Sequence, residues 1–249
     1  MVIFTLIIKK IEGIIVSEVD YKESSKIINV FSPTEGVIGI LARGTKKIKS
    51  NLSGVTSKLT YGYFHVNYKG NGLSTLIEVD ILDGFKNIRR NLDMISYAGY
   101  LVELSSMAYR HDSNIDIYNL LIASLKKINE GYDYEVITNI LELKLLTYLG
   151  IKPVIDGCVN CCNKNDIVTI SSYKGGYLCK DCARDEVIVN IKTIKLLRMF
   201  YYVDINKISR IDVSDNIKKE LNRFIDDYYD RYSGLYLKSK SFLRNLQNI

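Results

Sequence analysis

The sequence contains no tryptophan, two prolines and two histidines, and the signatures of several common protein classes are missing from it. No run approaches about 18 consecutive apolar residues, so we expect no transmembrane helix. The apolar N-terminal segment has no basic stretch before it and no small-residue cleavage site after it, so we expect no signal peptide. Walker, nucleophile-elbow and paired-carboxylate signatures are missing, and His65 and His111 lie near no candidate nucleophile. These absences argue against an enzyme.

The composition indicates a folded protein with a basic surface. Hydrophobic residues make up 47% of the chain, which is ample for packed cores. The formal net charge of +6 suggests a polyanionic partner, although an ordinary solvated surface would give the same total. The distribution of the charge along the chain therefore has to decide between the two.

Four of the five cysteines form two Cys-x-x-Cys pairs, Cys158-Val-Asn-Cys161 and Cys179-Lys-Asp-Cys182, separated by 17 residues. This spacing is typical of a four-thiolate zinc ribbon, whose intervening segment folds back as a hairpin. Gly175 and Gly176 fit the tight turn that the hairpin needs. Four sulfur ligands close the coordination shell, so the pattern predicts one structural Zn²⁺ per chain rather than a catalytic one. Thiolate ligands need a reducing environment, so we expect a cytoplasmic protein.

Cys162 directly follows the first pair and has two interpretations. It could replace a neighbour as a ligand, or it could stay a free thiol. We favour the free thiol, because consecutive residues seldom both reach one metal without strain.

The chain changes character after residue 82, which predicts an α+β protein with two domains. Residues 1–82 contain five short segments rich in β-branched and aromatic residues and separated by turn signals, which favours a five-stranded OB-fold β-barrel. Residues 83–249 show helical spacing of apolar residues, interrupted by a zinc-binding module at about 156–186. The predicted strands are Ile11–Val19, Lys26–Phe31, Val37–Arg43, Tyr61–Tyr68 and Leu73–Leu82. The clearest predicted helices lie around 92–108, 118–128, 136–149, 192–202 and 215–232, with a shorter one near 239–246.

Alternation along the last two strands predicts which faces fill the barrel. In the fourth strand, Phe64, Val66 and Tyr68 share one face, and Tyr61, Tyr63 and His65 share the other. In the fifth strand, the predicted apolar face consists of Thr75, Ile77, Val79 and Ile81.

The basic charge is concentrated within the predicted barrel. No aspartate or glutamate occurs from Gly36 to Ile77, yet the stretch contains Arg43, Lys46, Lys47, Lys49, Lys58 and Lys69. A cationic loop could follow a phosphodiester backbone while the face of Tyr61, Tyr63 and His65 stacks on bases. A solvated lysine-rich loop beside ordinary tyrosines explains the same composition equally well. The candidate nucleic-acid contacts are these six basic residues.

Patterns in five parts of the chain resemble one bacterial protein family in the same order. They are Glu12-Gly-Ile-Ile-Val with Asp20-Tyr-Lys-Glu-Ser-Ser-Lys-Ile, Ala42-Arg-Gly-Thr-Lys-Lys-Ile-Lys-Ser, Glu142-Leu-Lys-Leu-Leu-Thr-Tyr-Leu-Gly150, Gly175-Gly-Tyr-Leu-Cys-Lys-Asp-Cys182 and Leu237-Lys-Ser-Lys-Ser-Phe-Leu243. Together they are similar to the RecO family of DNA repair and recombination mediators along nearly the whole chain. The chain departs from the family at Cys162, where glycine is more common.

The resemblance implies an N-terminal OB-fold, a helical domain and an inserted zinc finger. It also implies a non-enzymatic role, in which the protein binds single- and double-stranded DNA and anneals complementary strands. The implied partners are RecR, the C-terminal tail of single-strand-binding protein and, indirectly, RecA, in the cytoplasm at the nucleoid and with no membrane. Some family members lack the cysteines, which favours a structural metal. Arg43, Lys46, Lys47 and Lys49 become the foremost expected DNA contacts.

Two other functions compete with DNA binding. An OB-fold combined with a zinc ribbon also fits an RNA-binding protein, for instance one that acts on ribosomal RNA. A metalloenzyme would need an open position on the zinc, which a four-cysteine site lacks.

Overall fold

The computed structural model describes residues 7–47, 50–70, 72–184, 186–240 and 243. The chain forms two compact units, one made of residues 1–119 with 239–249 and the other of residues 120–238. The division into an OB-fold domain at 1–82 and a helical domain at 83–249 stays a prediction.

Five strands form a closed barrel in the first unit. They are β1 (Ile7–Tyr21), β2 (Ser25–Ser32), β3 (Gly36–Ala42), β4 (Tyr61–Tyr68) and β5 (Ser74–Asp83). Their order around the barrel is β1-β2-β3-β5-β4, and β4 pairs with β1 to close the ring. All pairs are antiparallel except β3 with β5. This is the five-stranded Greek-key arrangement of an OB-fold, as the sequence predicts.

Inward-facing aliphatic and aromatic side chains fill the barrel. Phe64 and Val66 of β4 are fully buried, as predicted. Most of their neighbours in this core are β-branched, a shape that packs well on a pleated sheet. The fully buried members from the first three strands are Ile15, Ile28, Val30, Ile40 and Ala42.

The predicted apolar face of β5 is confirmed for Val79, which packs against the barrel core, but it is wrong for Ile77 and Ile81. A β-bulge interrupts the alternation at Ile77. His65 pairs with Glu78 and Val66 pairs with Leu76, so Ile77 is an extra residue on β5. Leu76 therefore points into the barrel, whereas the Ile77 side chain is 42% exposed. Ile81 lies beyond the bulge and is 51% exposed.

The first unit has a second apolar cluster beneath the helix α1 (Leu92–His111). The Phe31 ring meets the rings of Tyr109 and Tyr118 edge-on, with centroids 5.1 Å and 5.3 Å away. The side chain of Asn91 caps the start of α1 by accepting a hydrogen bond from the backbone N–H of Met94. Aromatic contacts of this geometry stabilise the packing of α1 on the barrel.

The other helices are α2 (Ile115–Asn129), α3 (Tyr134–Tyr148), α4 (Ile191–Tyr202) and α5 (Asp215–Tyr232). In the second unit α3 packs against both α4 and α5. The buried Tyr229 hydroxyl donates a hydrogen bond to the carbonyl oxygen of Glu142 and so links α5 to α3. These helices agree with the helical spacing of the sequence. Of the predicted helix near 239–246, only residues 239, 240 and 243 are described, and they are helical.

The second unit also contains a small β-hairpin, formed by β6 (Ile167–Ser171) and β7 (Gly176–Cys179). It lies between α3 and α4 in the chain, where the sequence predicts the zinc-binding module. Among the described helices, none combines the length and apolar character needed to cross a bilayer.

Candidate functional site

The four cysteines of the two Cys-x-x-Cys pairs lie together in the second unit. The Sγ atoms of Cys158, Cys161, Cys179 and Cys182 are all within 4.8 Å of one another. Cys158 and Cys179 are buried, and Cys161 is exposed. Four sulfurs at this separation surround a single metal ion, so the predicted ligands can form one site.

The hairpin brings the second pair of cysteines to the first. Cys179 ends β7 and pairs with Ile167, and the turn before β7 contains Gly175 at a φ of +85°. Gly176 lies against the backbone of Val154, where a Cβ atom would collide with the carbonyl oxygen. The two glycines therefore have separate roles, one in the turn and one in the close approach of a neighbouring segment.

The first pair forms a tight turn whose backbone N–H groups point at sulfur. The Cys162 N–H donates to the Cys158 carbonyl at 2.8 Å. Burial opposes ionisation of the Cys158 thiol, but backbone hydrogen bonds from Cys179, Cys161 and Asn160 outweigh it. They lower the pKa of Cys158 to about 6. An arrangement that stabilises the thiolate favours metal ligation, since the thiolate is the ligand form.

The donor set fits a structural zinc ion. The hydrogen bond from the Cys182 thiol to Cys161, and then that to Cys179, raise the pKa of Cys182 to about 12. Thiols this close resist joint ionisation, and a bound dication removes that conflict. Four sulfur donors would leave no coordination position for a substrate.

Cys162 is not one of the four clustered cysteines. It is exposed and has a φ of +62°, in the left-handed region that favours glycine. This geometry agrees with the interpretation of Cys162 as a free thiol.

The cysteine module is attached to α4 by hydrogen bonds and an ion pair. The Tyr177 hydroxyl donates to the carbonyl oxygen of Ile194. Asp156 accepts from Arg198 at 3.0 Å and from the Tyr202 hydroxyl at 2.8 Å. These hydrogen bonds, first that of Tyr202 and then that of Arg198, hold the pKa of Asp156 below its usual value. A metal in the module would therefore stabilise a hairpin that supports the helical unit.

Three of the six predicted basic residues lie in one turn after β3. Arg43 and Lys47 are exposed, and the Lys46 ammonium lies 2.6 Å from Asp20 in β1. The hydrogen bond from Lys46 lowers the pKa of Asp20. The Lys46 N–H also donates to the Ser24 carbonyl at 3.2 Å. The turn after β3 is thus attached to the hairpin between β1 and β2.

The structure does not bring Lys58 and Lys69 to the same turn. Lys58 is exposed, and its side chain lies against Gly99 of α1. A Cβ atom added to that glycine would be only 3.0 Å from the Lys58 ammonium. Lys69 follows β4, and its N–H donates to Ser74, which pairs with Ile40. Lys49 lies outside the described residues.

The predicted base-stacking face of β4 is wrong for Tyr61. Its side chain is 8% exposed, its hydroxyl donates to Glu12 at 2.8 Å, and its ring stacks with Phe85. The burial, followed by the hydrogen bond to Glu12, raises the pKa of Tyr61. A buried ring held in this way cannot stack on a nucleobase.

The neighbouring Tyr63 and His65 lie among acidic residues. His65 Nε2 is 2.8 Å from Asp80, and the Lys10 ammonium lies 4.1 Å from the centre of the Tyr63 ring. Tyr63 pairs with Glu12 across β1, and His65 pairs with Glu78 across β5. The stretch without acids in the sequence is therefore not free of acids in space.

The sequence reasoning missed two residues next to the basic turn. Tyr21 and Lys22 lie at the hairpin between β1 and β2, which is attached to that turn through Asp20 and Ser24. Their only signal in the sequence is that Asp20-Tyr-Lys separates the first two predicted strands, which indicates a turn and no function. Nothing in the sequence pairs this hairpin with residues 43–47.

Comparisons with known proteins cover nearly the whole chain. The family model described as "Recombination protein O N terminal" matches residues 6–85, and "Recombination protein O C terminal" matches residues 89–241. The DNA repair protein RecO of Listeria innocua is 38% identical over 242 residues, which are 96% of this chain and 94% of that protein. RecO of Bacillus pumilus is 35% identical over 96% of this chain and 95% of its own length. RecO of Halalkalibacterium halodurans is 38% identical over 96% of both chains. The chain belongs to the RecO family of DNA repair proteins.

Proposed function

We propose that the protein is a non-enzymatic, DNA-binding recombination mediator. It binds single- and double-stranded DNA, anneals complementary strands and, with RecR, helps to load RecA onto DNA covered by single-strand-binding protein. The observation that carries this proposal is the cationic turn of Arg43, Lys46 and Lys47 on an OB-fold barrel in a RecO-family chain. Such a protein works in the cytoplasm, at the nucleoid.

Phosphate contacts suit a protein that anneals strands of any sequence. Lysine and arginine bind the backbone without reading bases, so the affinity varies little with sequence. Lys49, Lys58 and Lys69 would extend these contacts along a bound strand. The four cysteines would hold one Zn²⁺, which stabilises the second unit and takes no part in a reaction.

The salt dependence of DNA binding tests the proposed function. With about four to six phosphate contacts, the slope of log affinity against log salt on single strands should be about −3 to −4. Fluorescence anisotropy with single- and double-stranded DNA across a salt series measures it. Binding that does not change with salt would refute phosphate recognition. A clear preference for RNA of the same sequence would favour the RNA-binding alternative instead.

A groove between the cysteine module and α4 suits the tail of single-strand-binding protein. Its volume is about 910 Å³, and Ile155, Ile167 and Ile194 contribute to its apolar floor. Basic side chains outnumber acidic ones in its lining. The basic residues are Lys164, Lys180, Lys195 and Arg198, and the acidic ones are Asp166 and Asp156, the ion-pair partner of Arg198. We propose that apolar residues of the tail enter the groove while the basic side chains attract its acidic groups.

Reversing one basic charge of the lining tests the groove. Lys195→Glu should weaken binding of a fluorescent single-strand-binding-protein tail peptide by roughly fivefold, as expected for one exposed charge pair. Lys219→Glu is the matched control, because Lys219 is an exposed lysine of α5 that does not line the groove. Equal losses in the two variants would refute the site.

A further inference from the structure

The outer face of the barrel has an uncharged surface beside the basic turn. The strand register aligns Val19 of β1, Ile27 of β2, Leu41 of β3 and Thr75 of β5 in one row across the sheet. The Val19 side chain is 60% exposed, and Ile77 follows Thr75 along β5 and is also exposed. This row crosses β2 and β3, the strands whose outer face binds oligonucleotides in OB-folds.

Tyr21 stands at the edge of this row, next to the basic turn. It pairs with Ser25, and its side chain is 37% exposed. Ala42 of β3 pairs with Lys26 of β2. Continuing this register by one residue places Arg43 opposite Ser25, which is itself the partner of Tyr21. An exposed aromatic ring therefore lies in the same part of the sheet as a cation that can bind phosphate.

The charged groups near Tyr21 are mostly either basic side chains or carboxylates that form an ion pair with a lysine. Lys22 follows it, with its ammonium 5.5 Å from the centre of the ring. The Asp20 carboxylate forms an ion pair with the Lys46 ammonium, and the Glu18 carboxylate lies 3.4 Å from the Lys26 ammonium. Glu23 is the remaining acid of the hairpin tip, where it is outnumbered by Lys22, Arg43 and Lys47. The local field therefore favours a polyanion, in contrast to the acidic surroundings of Tyr63 and His65.

We propose that Tyr21 stacks on an unpaired base of single-stranded DNA whose phosphates contact Arg43 and Lys47. The adjacent bases lie over the aliphatic row of Val19, Ile27 and Leu41. The inference rests on the proposed DNA-binding function and assigns its base-contacting surface to the side of the barrel away from Tyr63. Bases within a duplex are already stacked and cannot reach the ring. Tyr21 thus strengthens binding to single strands without affecting binding to duplexes.

The absence of tryptophan from the sequence allows a direct test. A Tyr21→Trp variant contains one tryptophan, whose fluorescence should be quenched by stacking when an unlabelled single-stranded oligonucleotide binds. The matched control is Tyr173→Trp, because Tyr173 is also exposed and lies 5.2 Å from the cationic groups of both Lys174 and Arg231. Quenching in Tyr21→Trp alone supports the proposal, and equal quenching in both variants overturns it.

Affinity measurements separate this inference from the proposed function. Tyr21→Ala should weaken single-strand binding by about 5- to 150-fold, the range for losing one base–aromatic stack, and should change duplex binding by less than about twofold. Tyr21→Phe should restore single-strand binding, and an unchanged thermal midpoint should verify folding. Wild-type single-strand affinity in Tyr21→Ala would overturn the role of Tyr21 while leaving DNA binding intact. Failure of the unaltered protein to bind DNA would instead overturn the proposed function.

Discussion

A Cys179→Ser variant is expected to lose its zinc and a large part of its stability together. Cys179 is buried in a small apolar cluster with Cys158, Leu178 and Ala183, and this cluster is too small to order the hairpin alone. Without the fourth thiolate the proposed zinc shell would open, and the folding free energy that a bound zinc ion supplies would be lost. We expect a loss on the order of 3–5 kcal/mol, which lowers the thermal midpoint by roughly 10 °C. Zinc content and thermal unfolding measure the two effects.

The neighbouring cysteine supplies a matched control for this experiment. Cys162→Gly removes a thiol that lies outside the cluster, so zinc content should not change. The substitution should also raise stability by about 1 kcal/mol, because glycine adopts the φ of +62° without strain. A Cys179→Ser protein with full zinc content and unchanged unfolding would contradict the ligand set. Loss of zinc from Cys162→Gly would show that the metal shell includes this residue.

The coordination chemistry also separates a structural metal from a catalytic one. An X-ray absorption spectrum should show sulfur as the sole zinc ligand, since four thiolates complete a tetrahedral shell. An oxygen or nitrogen ligand would indicate an open position and would revive the metalloenzyme interpretation.

The sequence predicts best those features that depend on short segments. The spacing of Cys158, Cys161, Cys179 and Cys182 predicts the cluster, because two tight turns and one hairpin bring the sulfurs together. The strands and helices follow from alternation and helical spacing within single segments. Each of these signals is complete within about 30 residues.

Features that depend on the register between two strands could not be predicted in this way. The bulge at Ile77 turns Leu76 instead of Ile77 into the barrel, and the register that produces it involves β4 as well as β5. The stretch from Gly36 to Ile77 contains no acidic residue in the sequence. In the folded barrel, however, Asp20 from outside the stretch lies beside Lys46 within it. The proposed base-contacting residue, Tyr21, lies outside that stretch of the sequence. Only the pairing of β1 with β2 and of β2 with β3 brings it near Arg43.

The ion pair between Asp20 and Lys46 decides which charges are best reversed to test the basic turn. A glutamate at position 46 would place two carboxylates together and disturb the attachment of the turn to the hairpin between β1 and β2. Arg43 and Lys47 are exposed, and neither forms an ion pair within the part of the chain that is described. Replacing these two residues changes the surface charge while Lys46 continues to hold the turn.

The double variant Arg43→Glu with Lys47→Glu is therefore expected to bind DNA much more weakly while keeping its fold. Loss of two phosphate contacts should make the salt slope on single strands shallower by about 1.4 and should reduce affinity by ~25-fold or more at 0.1 M salt. The thermal midpoint should change by no more than about 2 °C, because both side chains are exposed. The control is Lys192→Glu with Lys219→Glu, which changes the net charge equally at exposed positions of the second unit, at lysines that form no ion pair within the described residues. Fluorescence anisotropy across a salt series compares the two variants. If both lose the same affinity, net charge explains the binding, and a loss confined to the first locates the phosphate contacts at the turn after β3.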